Sequence, residues 1–305
     1  MKYFFLEKPD IIISATWQNA VGLLPLKKII DFQLITFAHG RDVAKIDSIN
    51  LNTCANVIKN CFIIFAVSNF LKDMIEYRTN LSSVNNVRVL ANGANSKLFY
   101  PQEPSLQFYE EFKINKSSTL VVSVGRLIPI KEYETIIHAI SKLKSQNKNI
   151  ELAIIGPYNK DSDYYIFLNN LITQLGITER VKLIDSQPSQ KLREFYNAAD
   201  LYVQSSGRDP KNKQEEGLSM TVIEAQFCGA PVVVTRSGGM PGAVAPDLGQ
   251  IIEIGDVDSL AEIITDVANN PKKYNEIGIK SAEYMRKKFS WEIIINKFLE
   301  NIGEK

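Results

Sequence analysis

At 305 residues the chain is long enough for two domains, each with its own hydrophobic core. Its composition, 45% apolar and 23% charged, is that of an ordinary globular protein and excludes a disordered or fibrous one. A formal charge of +1 gives no field directed at nucleic acid, and two histidines argue against a histidine-built metal site. Cys54, Cys61 and Cys228 lie in apolar surroundings with no CxxC, and are read as buried thiols in a reducing cytoplasm.

The opening segment Met1–Asp10 has one early lysine and a brief aromatic run, but Glu7 and Asp10 interrupt it before a signal-peptide core forms. No stretch approaches the roughly 20 apolar residues that span a bilayer. A cytoplasmic protein is expected. Lys27-Lys28 beside Leu23, Leu24 and Leu26 hints at peripheral contact with the inner membrane face, though a solvated helix end explains it more simply.

Strand-like runs then recur with helices between them. The first part offers 11–14, 34–38, 63–67 and 87–90; the later part offers 120–124, 152–155, 181–184, 201–204, 232–235 and 251–254. These runs are short, rich in Val and Ile, and apolar on both faces, which calls for helices on both sides of a parallel α/β sheet. A helix from Tyr133 places Tyr133, Ile136, Ile137, Ile140 and Leu143 on one face, and another uses Ile166, Leu171, Ile172 and Leu175 before Gly176 stops it. The polar, aperiodic interval 100–118, with Pro101 and Pro104, marks the boundary between a first domain over 1–105 and a second over 106–288. Residues 289–305 hold a terminal helix with Ile294, Ile295, Phe298 and Leu299 on its apolar face. The first domain looks small for its neighbour, as if the chain entered it partway. An exposed apolar edge or face around Ile12, Ile35 and Ile64 is then expected, inviting self-association or a partner chain.

The chemistry gathers at strand ends. Gly125-Arg126 follows the strand 120–124, and Lys131 follows five residues after Arg126. In open α/β sheets ligands sit at the carboxyl ends of strands beside helix N-termini. Two cations there suit a diphosphate, Arg126 as a planar fork and Lys131 as a point charge; the plainer alternative pairs Lys131 with Glu134 or with water. Glu216 and Glu224 stand eight residues apart across a loop-to-helix joint, with the helix starting at Ser219. That spacing suits two parts of an extended ligand better than a shared helical face, although Glu224 near a helix start also has a local reason to be acidic. The amides of Gly217, Leu218, Ser219 and Met220 are placed to hold phosphate or sugar oxygens. The loop 205–214, with Arg208, Asp209, Pro210, Lys211 and Lys213 and no apolar anchor, reads as a lid or acceptor-facing rim. Gly238-Gly239-Met240-Pro241-Gly242 reads as a tight turn at the same sheet edge. His39 follows the strand 34–38 and faces the same cleft, whereas His138 reads as an ordinary helix residue. The absence of Gly-x-Gly-x-x-Gly and of Gly-x-x-x-x-Gly-Lys-Ser/Thr argues against dehydrogenases and common triphosphate hydrolases.

With these motifs in hand, the chain resembles the retaining GT-B glycosyltransferases often called family 4, which include sucrose synthase and bacterial mannosyltransferases. The resemblance covers nearly the whole chain. It rests on Gly125-Arg126-Leu127…Lys131, the strand ending Ile154-Ile155-Gly156, the Glu-x7-Glu pair Glu216 and Glu224, and Phe289-Ser290-Trp291. In the first domain it rests on His39-Gly40-x-Asp42, Val67-Ser68 and Val89…Asn92-Gly93…Phe99. It implies two Rossmann-like domains facing a cleft, with Arg126 and Lys131 on the donor diphosphate and Glu224 on the ribose. Glu216 and His39 would hold the donor sugar. It also implies retention, no metal or other cofactor, a UDP-, GDP- or ADP-sugar donor, and a saccharide or lipid-linked acceptor. Two departures stand out: the family's opening strand and Gly-Gly loop have no counterpart, and Gly242 replaces the usual glutamate after Gly-Gly-x-Pro. Competing readings are a nucleotide-sugar epimerase, and a non-catalytic or split nucleotide-sugar-binding protein that needs a partner segment.

Overall fold

The computed structural model describes residues 8–44, 50–81, 85–146, 149–209 and 214–303. The signal-like start over 1–7 and the loop residues Pro210, Lys211 and Lys213 lie outside the described residues. The strands are β1 Ile11–Ser14, β2 Gln33–Ala38, β3 Ile63–Ala66, β4 Val87–Val89, β5 Thr119–Val124, β6 Ile150–Ile155, β7 Val181–Ile184, β8 Leu201–Gln204, β9 Val232–Thr235 and β10 Gln250–Ile252. The helices are α1 Trp17–Val21, α2 Arg41–Ala44, α3 Leu51–Asn60, α4 Asn69–Thr79, α5 Leu106–Glu111, α6 Tyr133–Lys142, α7 Asp163–Gln174, α8 Ser189–Ala198, α9 Met220–Phe227, α10 Val257–Asn269, α11 Pro271–Phe289 and α12 Trp291–Ile302.

The strands form two separate parallel sheets, one in the order β1-β2-β3-β4 and one in the order β10-β9-β8-β5-β6-β7. Strand–helix alternation dictates this. Parallel neighbours need a crossover, and helices that return over the sheet bury both of its faces. Strands β3, β6, β8 and β9 are accordingly buried along their whole length. In the larger sheet the order reverses between β5 and its two neighbours, β6 and β8. This is the switch point at which the carboxyl ends of adjacent strands open into a crevice.

The two sheets are joined by contacts at three levels. Ala94 and Phe99 pack in the same core cluster as β5, β8 and β9. The chain crosses back after Phe289, so that Ile294, Phe298 and Ile302 of α12 cover Ile35, Ile63, Phe65 and Leu90 of the smaller sheet. Gly93 makes that crossing possible, since a Cβ there would lie 2.6 Å from the Trp291 ring.

Several expectations are corrected. Ile35 and Ile64 do not lack neighbours. Both are fully buried, Ile35 under α12 and Ile64 in the cluster with Trp17, Val57 and Ile58, while Ile12 is partly buried. Ile13 is exposed, at 55% on the edge strand β1, as is Val89 on the opposite edge strand β4. Within the interval 100–118 the chain holds a short helix. Ser105 caps α5, and Phe108 is fully buried against Tyr109, Phe112 and Phe195. In α7 the inward residues are Leu168 and Ile172, and Ile166 is 46% exposed. Leu23, Leu24 and Leu26 turn toward the first-sheet core, and Lys27 Nζ donates to the Asn60 carbonyl at 2.8 Å. Among the described residues no helix is long and apolar enough to cross a membrane. All three cysteines are buried free thiols, each pushed up to about 12 chiefly by burial.

Candidate active site

The cleft between the two sheets holds a cavity of about 700 Å³ at the carboxyl ends of β2 and β5. Its walls include Thr16, Gln18, His39 and Asp42 from the first part, and Arg126, Glu216, Gly217 and Leu218 from the second. A second cavity of about 590 Å³, lined by Pro101, Asp200 and Pro231, lies at the opposite, amino ends of β8 and β9 and contains none of the predicted site residues.

Strand β5 ends at Val124 and delivers Gly125-Arg126, with Arg126 exposed at the cavity rim. The chain then makes a 3-10 turn over Pro129–Lys131 before α6 begins. Lys131 does not pair with Glu134. Its Nζ lies 2.5 Å from Glu216 Oε1, with only 12% and 20% of the two side chains exposed. Gly125 lies against this pair: a Cβ there would approach Lys131 Cε to 3.2 Å.

At Gly217 the two halves touch beside the cleft. A Cβ at this position would fall 2.5 Å from the His39 carbonyl oxygen and 3.2 Å from Gly40 Cα, so only glycine fits. Ser68, the cap of α4, donates its Oγ–H to the Gly217 carbonyl at 2.6 Å, and the Gly239 amide donates to the Glu216 carbonyl at 2.7 Å. These bonds fix the backbone that follows the Glu216 side chain.

Ser219 is buried and precedes α9, and Glu224 follows about a turn later. Neither lines the cavity, and nor do Gly125 and Lys131, so the predicted set divides into a wall and a layer behind it. Glu224 is half-buried and accepts a hydrogen bond from Tyr196 Oη at 3.1 Å. Burial pushes its carboxyl up to about 7, against the opposing effect of that bond. Tyr202 is buried nearby, and its Oη bonds Thr221 at 2.8 Å and the Val124 carbonyl at 3.3 Å, while both glutamates act on it electrostatically.

His39 is exposed, and Asp42 holds its segment by accepting from the His39 and Gly40 amides at 2.9 and 2.8 Å. His39 Nε2 lies 3.1 Å from the Ala15 carbonyl oxygen. A carbonyl can only accept, so Nε2 is the donor in this bond. The start of the loop after β8 is anchored by polar bonds: Ser205, Ser206 and Gly207 are buried, with Ser205 Oγ bonded to the Lys131 and Glu132 carbonyls at 2.8 and 2.9 Å. Glu132 sits over Gly207, and burial pushes its carboxyl up to about 7. His138 is an exposed helix residue. Thr16, Gln18 and Tyr196 were not found from the sequence, whereas Ser68 belongs to the Val67-Ser68 motif on which the resemblance rests.

A family model described as "Glycosyl transferases group 1" matches residues 107–284, more than half of the chain. The chain belongs to this family. It is 27% identical over 207 residues to the GDP-mannose-dependent monoacylated alpha-(1-6)-phosphatidylinositol monomannoside mannosyltransferase of Corynebacterium glutamicum, covering 67% of this chain and 53% of that protein. The chain thus spans about half the length of the curated relatives it matches. Among solved structures, a glycosyltransferase from Rickettsia africae superposes with a TM-score of 0.86 at 17% identity, covering 100% of this chain and 80% of that one. The Anabaena protein HepE, solved in complex with UDP, superposes with a TM-score of 0.81 at 21% identity, covering 96% and 78%. The fold is therefore GT-B.

Proposed function

We propose that the chain transfers a hexosyl group from a nucleotide-sugar to a saccharide or lipid-linked acceptor, with retention of configuration and without a metal ion. The observation that carries this reading is the convergence of Arg126, the Lys131–Glu216 pair and the Gly217–Ser219 backbone at the end of β5 and the start of α9, facing His39 across the cleft. The names of relatives point the same way. One is a GDP-mannose-dependent mannosyltransferase acting on a phosphatidylinositol monomannoside, and HepE was solved with UDP.

In this reading Arg126 and Lys131 neutralise charge that builds on the leaving diphosphate, in a part-buried site where fixed charges act strongly. That work does not require a divalent ion. Glu216 holds the donor sugar, Glu224 accepts from the ribose hydroxyls, and His39 orients the sugar from the opposite wall. The leaving phosphate helps to deprotonate the acceptor. The reading divides the chain into 1–105, 106–288 and 289–305, a division that the two separate sheets and the returning helix α12 support. Catalysis takes place in the cytoplasm, at the membrane face where the acceptor is lipid-linked.

The test is calorimetric titration of the chain with UDP-, GDP- and ADP-sugars, repeated after exhaustive chelation. Saturable binding of one base class that survives the chelator is expected. Binding that vanishes with EDTA and returns with Mg²⁺ or Mn²⁺ contradicts the metal-independent reading.

A further inference from the structure

Tyr133 opens α6 two residues after Lys131, and its side chain is completely buried. The ring packs in the cluster that contains Val121, Leu127, Ile136 and Ile137, which accounts for the aromatic body but not for the oxygen. Tyr133 Oη has no hydrogen-bond partner among the described residues. Buried hydroxyls are nearly always paired, and an orphan in a folded protein calls for a reason. Its neighbour Tyr202 shows the usual outcome. Equally buried, it is bonded to Thr221, Gln204 and the Val124 carbonyl.

The position of the orphan supplies the reason. A Cβ on Gly125 would lie 3.0 Å from Tyr133 Oη, 3.2 Å from Lys131 Cε and 3.5 Å from Lys131 Nζ. The hydroxyl therefore lies beside Gly125, just past the end of β5, next to the side chain of Lys131. Arg126 and Glu216 are close enough to act on it electrostatically, Arg126 favouring ionisation and Glu216 opposing it. Burial outweighs both and holds the phenol well above its ordinary value, so the group keeps its proton at any working pH. Thr36 and Ser123 also have unpartnered hydroxyls, but both lie inside strands, whereas Tyr133 Oη stands beyond a strand end among the cations of the site.

We propose that Tyr133 Oη donates a hydrogen bond to the diphosphate of the bound nucleotide, reached when the phosphate draws Lys131 away from Glu216. This rests on the nucleotide-sugar reading above. Glycine at 125 keeps the approach open, because a side chain there would fill the space between the hydroxyl and Lys131. The bond would run from a neutral donor to a charged acceptor, the stronger kind.

The experiment compares Tyr133→Phe with the unaltered chain in calorimetric titrations with UDP, GDP and ADP, with the matching nucleosides as controls, alongside thermal melts. Removing an orphaned hydroxyl should leave the Tm unchanged or raise it, because no internal bond is lost. Affinity for the diphosphate should fall roughly tenfold, the scale of one hydrogen bond to a charged group, while nucleoside affinity stays the same. Equal diphosphate affinity in the two proteins overturns the inference and assigns the hydroxyl to bound water. A Tm lowered by several degrees also overturns it, because the hydroxyl then has a partner within the fold. If the unaltered chain binds no nucleoside diphosphate, the parent reading fails and this one falls with it; a binding wild type with an indifferent variant removes this inference alone.

Discussion

Lys131 Nζ and Glu216 Oε1 are 2.5 Å apart, so the cation assigned to the donor's phosphate and the carboxylate assigned to its sugar are bonded to each other. A diphosphate entering the site competes with Glu216 for Lys131. Glu216→Gln removes the competitor's charge, and should therefore bind a bare nucleoside diphosphate several-fold more tightly while turning over more slowly. Lys131→Ala should weaken binding and turnover together. Calorimetry with the diphosphate separates the two variants, and weaker binding by Glu216→Gln would contradict the competition.

Arg126 is exposed at the cavity rim, so its removal should leave the melting temperature within a degree or two. If it stabilises charge that develops only as the bond to the leaving phosphate breaks, Arg126→Ala loses about 3 kcal/mol of transition-state stabilisation, on the order of 100-fold in turnover. Steady-state rates at saturating donor measure this directly. An unchanged rate removes Arg126 from the chemistry.

Glu224 gives a pH dependence whose sign follows from its burial. Its folded value of about 7 lies above the ordinary 4.5, so between those values the folded chain holds more protons than the unfolded one. Stability then falls as pH rises through that window, and the burden is full above about 7. Glu132, also raised to about 7, acts in the same direction, so the contribution of Glu224 must be read as a difference from Glu224→Gln. The glutamine variant should gain more over the unaltered chain at pH 8 than at pH 5 in denaturant melts. For binding the sign reverses: only the carboxylate accepts from two ribose hydroxyls, so donor affinity should weaken as pH drops below about 7, and the variant should lose that slope. Parallel profiles in the two proteins would exclude the ribose role.

Gly217→Ala tests the seam between the sheets. The added Cβ would meet the His39 carbonyl at 2.5 Å and strain the bond that Ser68 Oγ makes to the Gly217 carbonyl at 2.6 Å. A loss of about 1–3 kcal/mol in stability is expected from overpacking. Turnover should fall further than stability alone explains, because His39 and Glu216 move apart. Alanine tolerated without a change in either would mean the seam opens freely in solution.

Much of the fold was legible because parallel strands buried on both faces read as short Val/Ile runs. Four of them, β1, β7, β8 and β9, appear over the expected residues. The Glu216–Glu224 spacing was likewise visible, since a polar loop, a cap and a helix leave a local pattern. The long-range facts were not. Nothing near Lys131 in sequence announces a partner 85 residues away. The burial of Ser205–Gly207 depends on hydroxyl bonds to the backbone of the 3-10 turn, which no apolar anchor signals. Phe108 was hidden by the prolines and charges around it. Ile35 was read as lacking neighbours although the resemblance at Phe289-Ser290-Trp291 implied a helix crossing back onto the first domain, and α12 is the helix that covers it.

The most direct measurement of the central claim is donor turnover by the purified chain. UDP-, GDP- and ADP-sugars are supplied with a panel of saccharide and lipid-linked acceptors in EDTA, and both the released nucleoside diphosphate and the anomer of the product are followed. The account predicts acceptor-dependent release from one base class, a product with the donor's anomeric configuration, and near-complete loss in the Arg126→Ala, Glu216→Gln double variant. An inverted product, or turnover that persists in the double variant, would contradict it.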